Sequence, residues 1–183
     1  MPPVQPGPTL DPSPDALTGP THDQAAKWLN AEERAAWLAV AAVMFTLPAA
    51  LDSRLQDDAD LTFFDYMVLS VLSEQADRTM QMSEIAAGVS ASLSRLSHVA
   101  TKLESRGLLH RSRIPGAGRR TSATLTDAGW AKVPAAAPKH VAAVRNYFID
   151  VLEPTDLTAL ARIGVAVAGR INPERPFLHG APS

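Results

Sequence analysis

The chain contains no cysteine. Disulfides, thiolate nucleophiles, Cys-ligated zinc and thiol-based oxidant sensing are excluded together. Long apolar runs are scarce as well, and none reads as near the roughly 20 residues of a membrane span. The N-terminus lacks the basic region and apolar core of a secretory signal, so a cytoplasmic location and no membrane partner are expected. The five histidines, His22, His98, His110, His140 and His179, show no i, i+4 pair, and no metal site is expected. Ser-x-x-Lys, Gly-x-Ser-x-Gly, P-loop and His-Glu-x-x-His motifs are all missing, so no catalytic residue is nominated. The string Gly116-Ala117-Gly118 follows an expected strand but does not open a helix, which argues against a dinucleotide cofactor. No enzyme and no cofactor is the resulting expectation.

What is present is a chain of 183 residues, 46% apolar and 20% charged, the composition of one soluble globular domain with a core of useful size. Its formal net charge of -2, taken whole, suggests no polyanionic partner. The distribution reverses that inference. Residues 88–126 hold seven Lys/Arg against the single acid Glu104, or +6, while the remainder carries ten basic and eighteen acidic residues, or −8. A basic module in an acidic frame is the electrostatic footprint of a nucleic-acid binder, although a solvated basic face accounts for charge alone.

Residues 1–20 hold seven of the 15 prolines and few large aliphatics, so a flexible tail is expected over 1–22. Asn30 with Glu33 forms a capping-box pattern for a first helix, whose Trp37, Val40, Met44, Leu47, Leu51 and Leu55 make one apolar stripe. Pro48 is expected to kink it. Leu38, Val43 and Phe45 lie off the stripe, which suggests two packing partners, one of them from another chain. Thr62 with Asp65 opens a second helix, and Ser83 is expected to cap a short third one. Ser92 caps a fourth, to about Ser105, ended by Gly107. Leu108–Arg113 and Thr121–Leu125 read as strands joined by Pro115, Gly116 and Gly118. Thr126 opens a helix expected to bend or break near Pro134 and Pro138, and a last helix follows from Pro154 or Thr155 to Ile171. A second loose tail is expected over 173–183.

Helix, turn, helix, strand, glycine-rich loop, strand is the order of a winged helix-turn-helix, whose second helix enters the major groove. In the helix after Ser92, Leu96, Val99, Ala100 and Leu103 form the inward stripe. Ser94, Arg95, Ser97, His98, Thr101 and Lys102 face outward. Arg95 can fork onto guanine, while Ser92, Ser94, Ser97 and His98 stand at base or phosphate distance and Lys102 nearer the backbone. The loop Arg113–Arg120, with Arg119 and Arg120, suits a narrow minor groove. A surface helix that merely meets water explains any one of these residues, but not the basic wing directly after it.

The runs Ser83-Glu84-Ile85-Ala86, Ser92 to Val99, Leu103-Glu104-Ser105-Arg106-Gly107-Leu108 and Leu125-Thr126-Asp127-Ala128-Gly129 resemble the MarR family of bacterial transcription regulators, over about residues 30–172. The resemblance implies a mainly α fold with a small β-wing. A winged helix-turn-helix over 61–125 would be joined to a helical dimerisation region made of 23–60 and 126–172. It implies a homodimer binding double-stranded DNA at a pseudo-palindromic operator, as a ligand-responsive repressor. A winged helix serving as a protein–protein module is the alternative. The family's wing triplet Asp-x-Arg falls on Ala117-Gly118-Arg119 here. The arginine remains and the aspartate does not, so a looser wing and weaker DNA binding are expected. Family members often release DNA on binding a small aromatic or phenolic effector, and Trp37, Phe63 and Tyr66 can line such a crevice. Ordinary core packing of the three aromatics is the competing explanation.

Overall fold

The computed structural model describes residues 27–171, so both expected tails, with His22 and His179, lie outside the described residues. These residues fall into two units, one ending at Ala39 and one beginning at Val40. The chain order is α1 (Ala31–Ala59), α2 (Phe63–Ser73), β1 (Thr79–Gln81), α3 (Met82–Gly88), α4 (Leu93–Ser105), β2 (Leu109–Arg113), β3 (Thr121–Leu125), α5 (Asp127–Val144) and α6 (Pro154–Ile171). A π-helical turn, Arg145–Ile149, follows α5 directly.

Most helix starts are written in local hydrogen bonds. Asn30 and Glu33 exchange backbone-to-side-chain bonds at 2.9 Å, as do Thr62 and Asp65 at 2.9 and 3.0 Å. Ser92 and Thr126 each accept from the backbone N–H three residues on, at 3.2 and 3.0 Å. Each such cap satisfies donors that a helix start leaves unpaired, at about 1 kcal/mol per cap. α3 departs from expectation. It begins at Met82 behind Gln81, and Ser83 is an exposed first-turn residue. Strand pairing holds Gln81 extended opposite Ser122, and the Glu84 carboxylate accepts the Gln81 N–H at 3.2 Å.

The sheet is antiparallel with order β1-β3-β2. Its middle strand β3 pairs with both neighbours, and the three-residue β1 is too short to announce itself by alternation. In the second unit, Leu55 and Leu61 pack with Val68, Leu69 and Leu72 of α2, Ile85 of α3, and Leu96 and Leu103 of α4. Each buried leucine contributes about 2 kcal/mol by removal from water. Gly129 has a tighter role, because a Cβ built on it would lie 1.9 Å from the Leu108 carbonyl oxygen. The first turn of α5 can sit against the start of β2 only without a side chain.

Two expectations need correction. α5 passes through Pro134 and Pro138 and remains α-helical to Val144, where the π turn begins. Both prolines are exposed, so the carbonyls they leave without donors have access to water. α1 is assigned as one helix across Pro48. Its apolar content was also underestimated, because α1 holds an 18-residue window of mean hydropathy 1.7, long and apolar enough to cross a membrane by length and composition. Of its apolar stripe, Leu51 and Leu55 are buried, whereas Val40, Met44 and the off-stripe Phe45 are exposed.

Candidate nucleic-acid interface

α4 presents a sharply divided surface. Leu96, Ala100 and Leu103 are buried, and Ser94, Arg95, Ser97, His98, Thr101 and Lys102 are exposed, the division that the 3.6-residue period imposes. The turn into α4 runs through Ser90, whose φ of 50° lies in the left-handed region and whose N–H donates to the Ala87 carbonyl at 3.2 Å. That bend brings α4 across α2 and α3.

The outward residues are not equally free. Lys102 Nζ lies 2.6 Å from Oδ2 of Asp65, a carboxylate that is only 1% exposed and also accepts the Thr62 N–H. Lys102 thus neutralises a buried charge, and truncating one member of such a pair strands the other. The guanidinium carbon of Arg95 stands 4.3 Å from the centroid of the Phe64 ring. Ser94, Ser97 and His98 are exposed without such ties.

The wing folds on its own backbone. The Ile114 N–H donates to the Arg120 carbonyl at 3.0 Å and the Ala117 N–H to the Ile114 carbonyl at 3.2 Å, with Gly116 and Gly118 at φ of 72° and 67°. Ala117 therefore takes part in the turn through its backbone alone. Arg119 and Arg120 are exposed, and both border a cavity of about 410 Å³ that Leu93 and Ser97 of α4 also line. The wing arginines and the helix face thus converge on one concave surface.

A residue pair that the sequence reading passed over sets this convergence. Glu104 of α4 accepts the Arg111 backbone N–H at 2.8 Å and its guanidinium at 3.0 and 2.7 Å, while Arg111 also donates to the Thr101 hydroxyl at 3.0 Å. The Arg111 side chain first of all, then its backbone N–H, holds the Glu104 carboxyl below the usual carboxylate range. This fork clamps β2, and with it the wing, to α4. The available signal was Glu104 itself, the single acid in a module of seven cations.

A second cavity, of about 310 Å³, is bordered by Phe63, Phe64 and Met67 of α2, Val89, and His140 and Val144 of α5. Tyr66 packs on the His140 ring at 4.5 Å between centroids, and Phe63 lies at 5.9 Å. Burial lowers the His140 pKa and raises that of Tyr66. Nδ1 of His140 is buried without a hydrogen-bond partner. Phe63 is therefore at this wall, Tyr66 supports the imidazole, and Trp37, in the first unit, is 54% exposed. Neither Phe64 nor His140 had been singled out from the sequence for this cavity. Among the described residues there is no cluster of three or more His, Asp or Glu able to hold a metal ion.

Solved structures of similar shape decide the family. A MarR family transcriptional regulator from Streptomyces coelicolor, Sco3205, solved in complex with DNA, is 34% identical, covering 86% of this chain and 100% of that one at a TM-score of 0.78. The chain belongs to the MarR family of transcriptional regulators. A second MarR regulator from the same organism, AbsC, is 36% identical over 81% of this chain and 99% of that one, with a TM-score of 0.74. The PcaV regulator of Streptomyces coelicolor, solved with its natural ligand, shares the fold at 19% identity and a TM-score of 0.65, over 79% of this chain and 99% of that one. No family model and no curated protein matches the chain. In this MarR protein, α3 and α4 are the helix-turn-helix, and β2 and β3 carry the wing.

Proposed function

We propose that this MarR protein binds double-stranded operator DNA as a cytoplasmic, non-enzymatic homodimer and represses transcription until a small aromatic or phenolic effector releases it. The observation that carries the DNA reading is the concave surface shared by α4 and the wing. It is lined by the exposed Ser97 together with Arg119 and Arg120, all in the +6 segment of the chain. Ser92, Ser94, Arg95, Ser97 and His98 would face the major groove, and the wing arginines the adjacent minor groove. Lys102 would add its charge to the surface while remaining tied to Asp65. The relative solved with DNA supports DNA binding as such.

Dimerisation is supported by apolar surface left open in the second unit. Tyr147 and Val151 after α5, and Ile163, Val165 and Val167 on α6, are 40–75% exposed, and Phe45 of α1 is 79% exposed. Patches of that kind mark association sites. A second copy covering them would explain why α1 looks apolar enough for a membrane. Two recognition helices would then reach half-sites about 34–36 Å apart. The effector reading rests on the aromatic cavity beside α2, where the unpartnered Nδ1 of His140 can meet one polar group of a ligand.

A mobility shift with genomic fragments at several salt concentrations tests the core of this reading. Affinity should fall with a log–log slope of about −0.9 per phosphate contacted. Binding that is absent at low salt, or indifferent to salt, would favour a protein–protein module instead. Ile163→Glu should convert the dimer to monomers in sedimentation, and an unchanged mass would exclude α6 from the interface.

A further inference from the structure

Phe64 belongs to two sites at once. It borders the 310 Å³ cavity with Phe63, Met67, Val89, His140 and Val144, and the π-face of its ring carries the Arg95 guanidinium at 4.3 Å. Stacking engages only the flat face of a guanidinium and leaves its N–H edge available for a bidentate contact. Among the described residues, none of the Arg95 guanidinium N–H groups is used in a hydrogen bond, whereas its backbone N–H is taken by Ser92 Oγ at 3.2 Å. Arg95 stands at the third position of the recognition helix, where side chains meet base edges. The neighbouring residue on α2, Asp65, is committed to Lys102. One turn of α2 therefore holds both long cations of α4, one by charge and one by stacking, and only the stacking partner also faces a cavity.

We propose that Phe64 is a positioning residue that holds Arg95 ready for DNA, and that filling the cavity shifts its ring and withdraws that support. This rests on the DNA-binding reading above and names how its effector site reaches the DNA. An exposed cation–π contact corresponds to about a two- to fivefold change in an equilibrium constant, which sets the expected size of the effect. The route needs no rearrangement of the whole domain, because ring and guanidinium are already in contact.

The test is a double-mutant cycle on the full-length protein, with a duplex that the wild type selects from a random-sequence library. Phe64→Leu keeps apolar volume and removes the π-face. It should weaken DNA binding by about two- to fivefold, Phe64→Tyr should restore it, and Phe64→Leu should change nothing in an Arg95→Ala background. If Phe64→Leu does not fold, Arg95→Lys carries the test from an exposed position. It keeps the charge, loses the planar stack, and should show the same loss. Val144→Phe places a ring in the cavity from its α5 wall. It should lower affinity in the wild type and leave Arg95→Ala unaffected. Equal losses from Phe64→Leu, or from Val144→Phe, with and without Arg95 would overturn the coupling while leaving the DNA-binding reading intact. A wild type that selects no duplex would overturn both.

Discussion

Gly129 offers a test in which the sign of the effect is decided by tertiary structure. In an exposed helix, replacing glycine by alanine stabilises by about 1 kcal/mol, through lower backbone entropy in the unfolded chain and better helix propensity. Gly129 is helical and has no positive φ, so local reasoning expects that gain. The Cβ of Gly129→Ala would instead lie 1.9 Å from the Leu108 carbonyl oxygen, 2.9 Å from its carbon and 3.2 Å from Leu125 Cδ2. Relief requires a backbone movement of about 1 Å, since real Cβ contacts under 3.0 Å essentially do not occur. Leu108 is not free to make it. Its carbonyl accepts the Thr126 N–H at 3.2 Å, and the Thr126 hydroxyl donates to the Gly107 carbonyl at 2.7 Å while accepting the Gly129 N–H. Overpacking costs about 1–3 kcal/mol and a disturbed cap about 1 kcal/mol more. Against the propensity gain, a net loss of about 2 kcal/mol is expected, or about 4–8 °C in Tm. Thermal and urea melts followed by circular dichroism at one protein concentration would measure it. Gly88→Ala is the control, because its Cβ meets only Val71 Cγ1 at 3.7 Å. That variant should melt at the wild-type temperature or slightly above. If Gly129→Ala melted as high as wild type, the close approach of α5 to β2 would be refuted.

The other expectations concern titration. Glu104→Gln should lower stability at pH 7 by up to about 1 kcal/mol, the scale of a partly exposed ion pair. Because the Glu104 pKa is lowered in the fold, that contribution exists above the ordinary value of 4.5 and disappears as pH falls through the folded value. Wild type and variant should therefore differ in Tm at pH 7 and draw together as pH falls below 4.5, and a constant difference would contradict the fork. His140 behaves in the opposite sense. Burial lowers its pKa from 6.5, so the unfolded chain takes up a proton first and stability falls as pH drops below about 6.5. His140→Phe should remove that part of the slope between pH 7.5 and pH 5, and an unchanged slope would show that the imidazole is freely solvated.

Much of this architecture was legible because it is local. The caps at Asn30, Thr62, Ser92 and Thr126 join residues three apart, so spacing along the chain is spacing in space. The buried stripe Leu96, Ala100 and Leu103 follows from helical period, and the strands β2 and β3 are marked by the Pro- and Gly-containing turn between them. The charge division of the chain needed only counting. These features point to a winged helix-turn-helix before any contact is known.

Tertiary structure decided which of the outward residues are free. Asp65 reads as a capping residue and is one, yet the fold also brings it to Lys102 across 37 positions. β1 exists only because β3 lies beside it, and α3 starts where that pairing ends. The Glu104–Arg111 fork, the Phe64–Arg95 stack and the forbidden Cβ at Gly129 join elements whose separation no periodicity encodes. A sequence sets each residue's chemistry and its local face. Only packing determines which charge another residue has already claimed and which guanidinium edge is left for DNA.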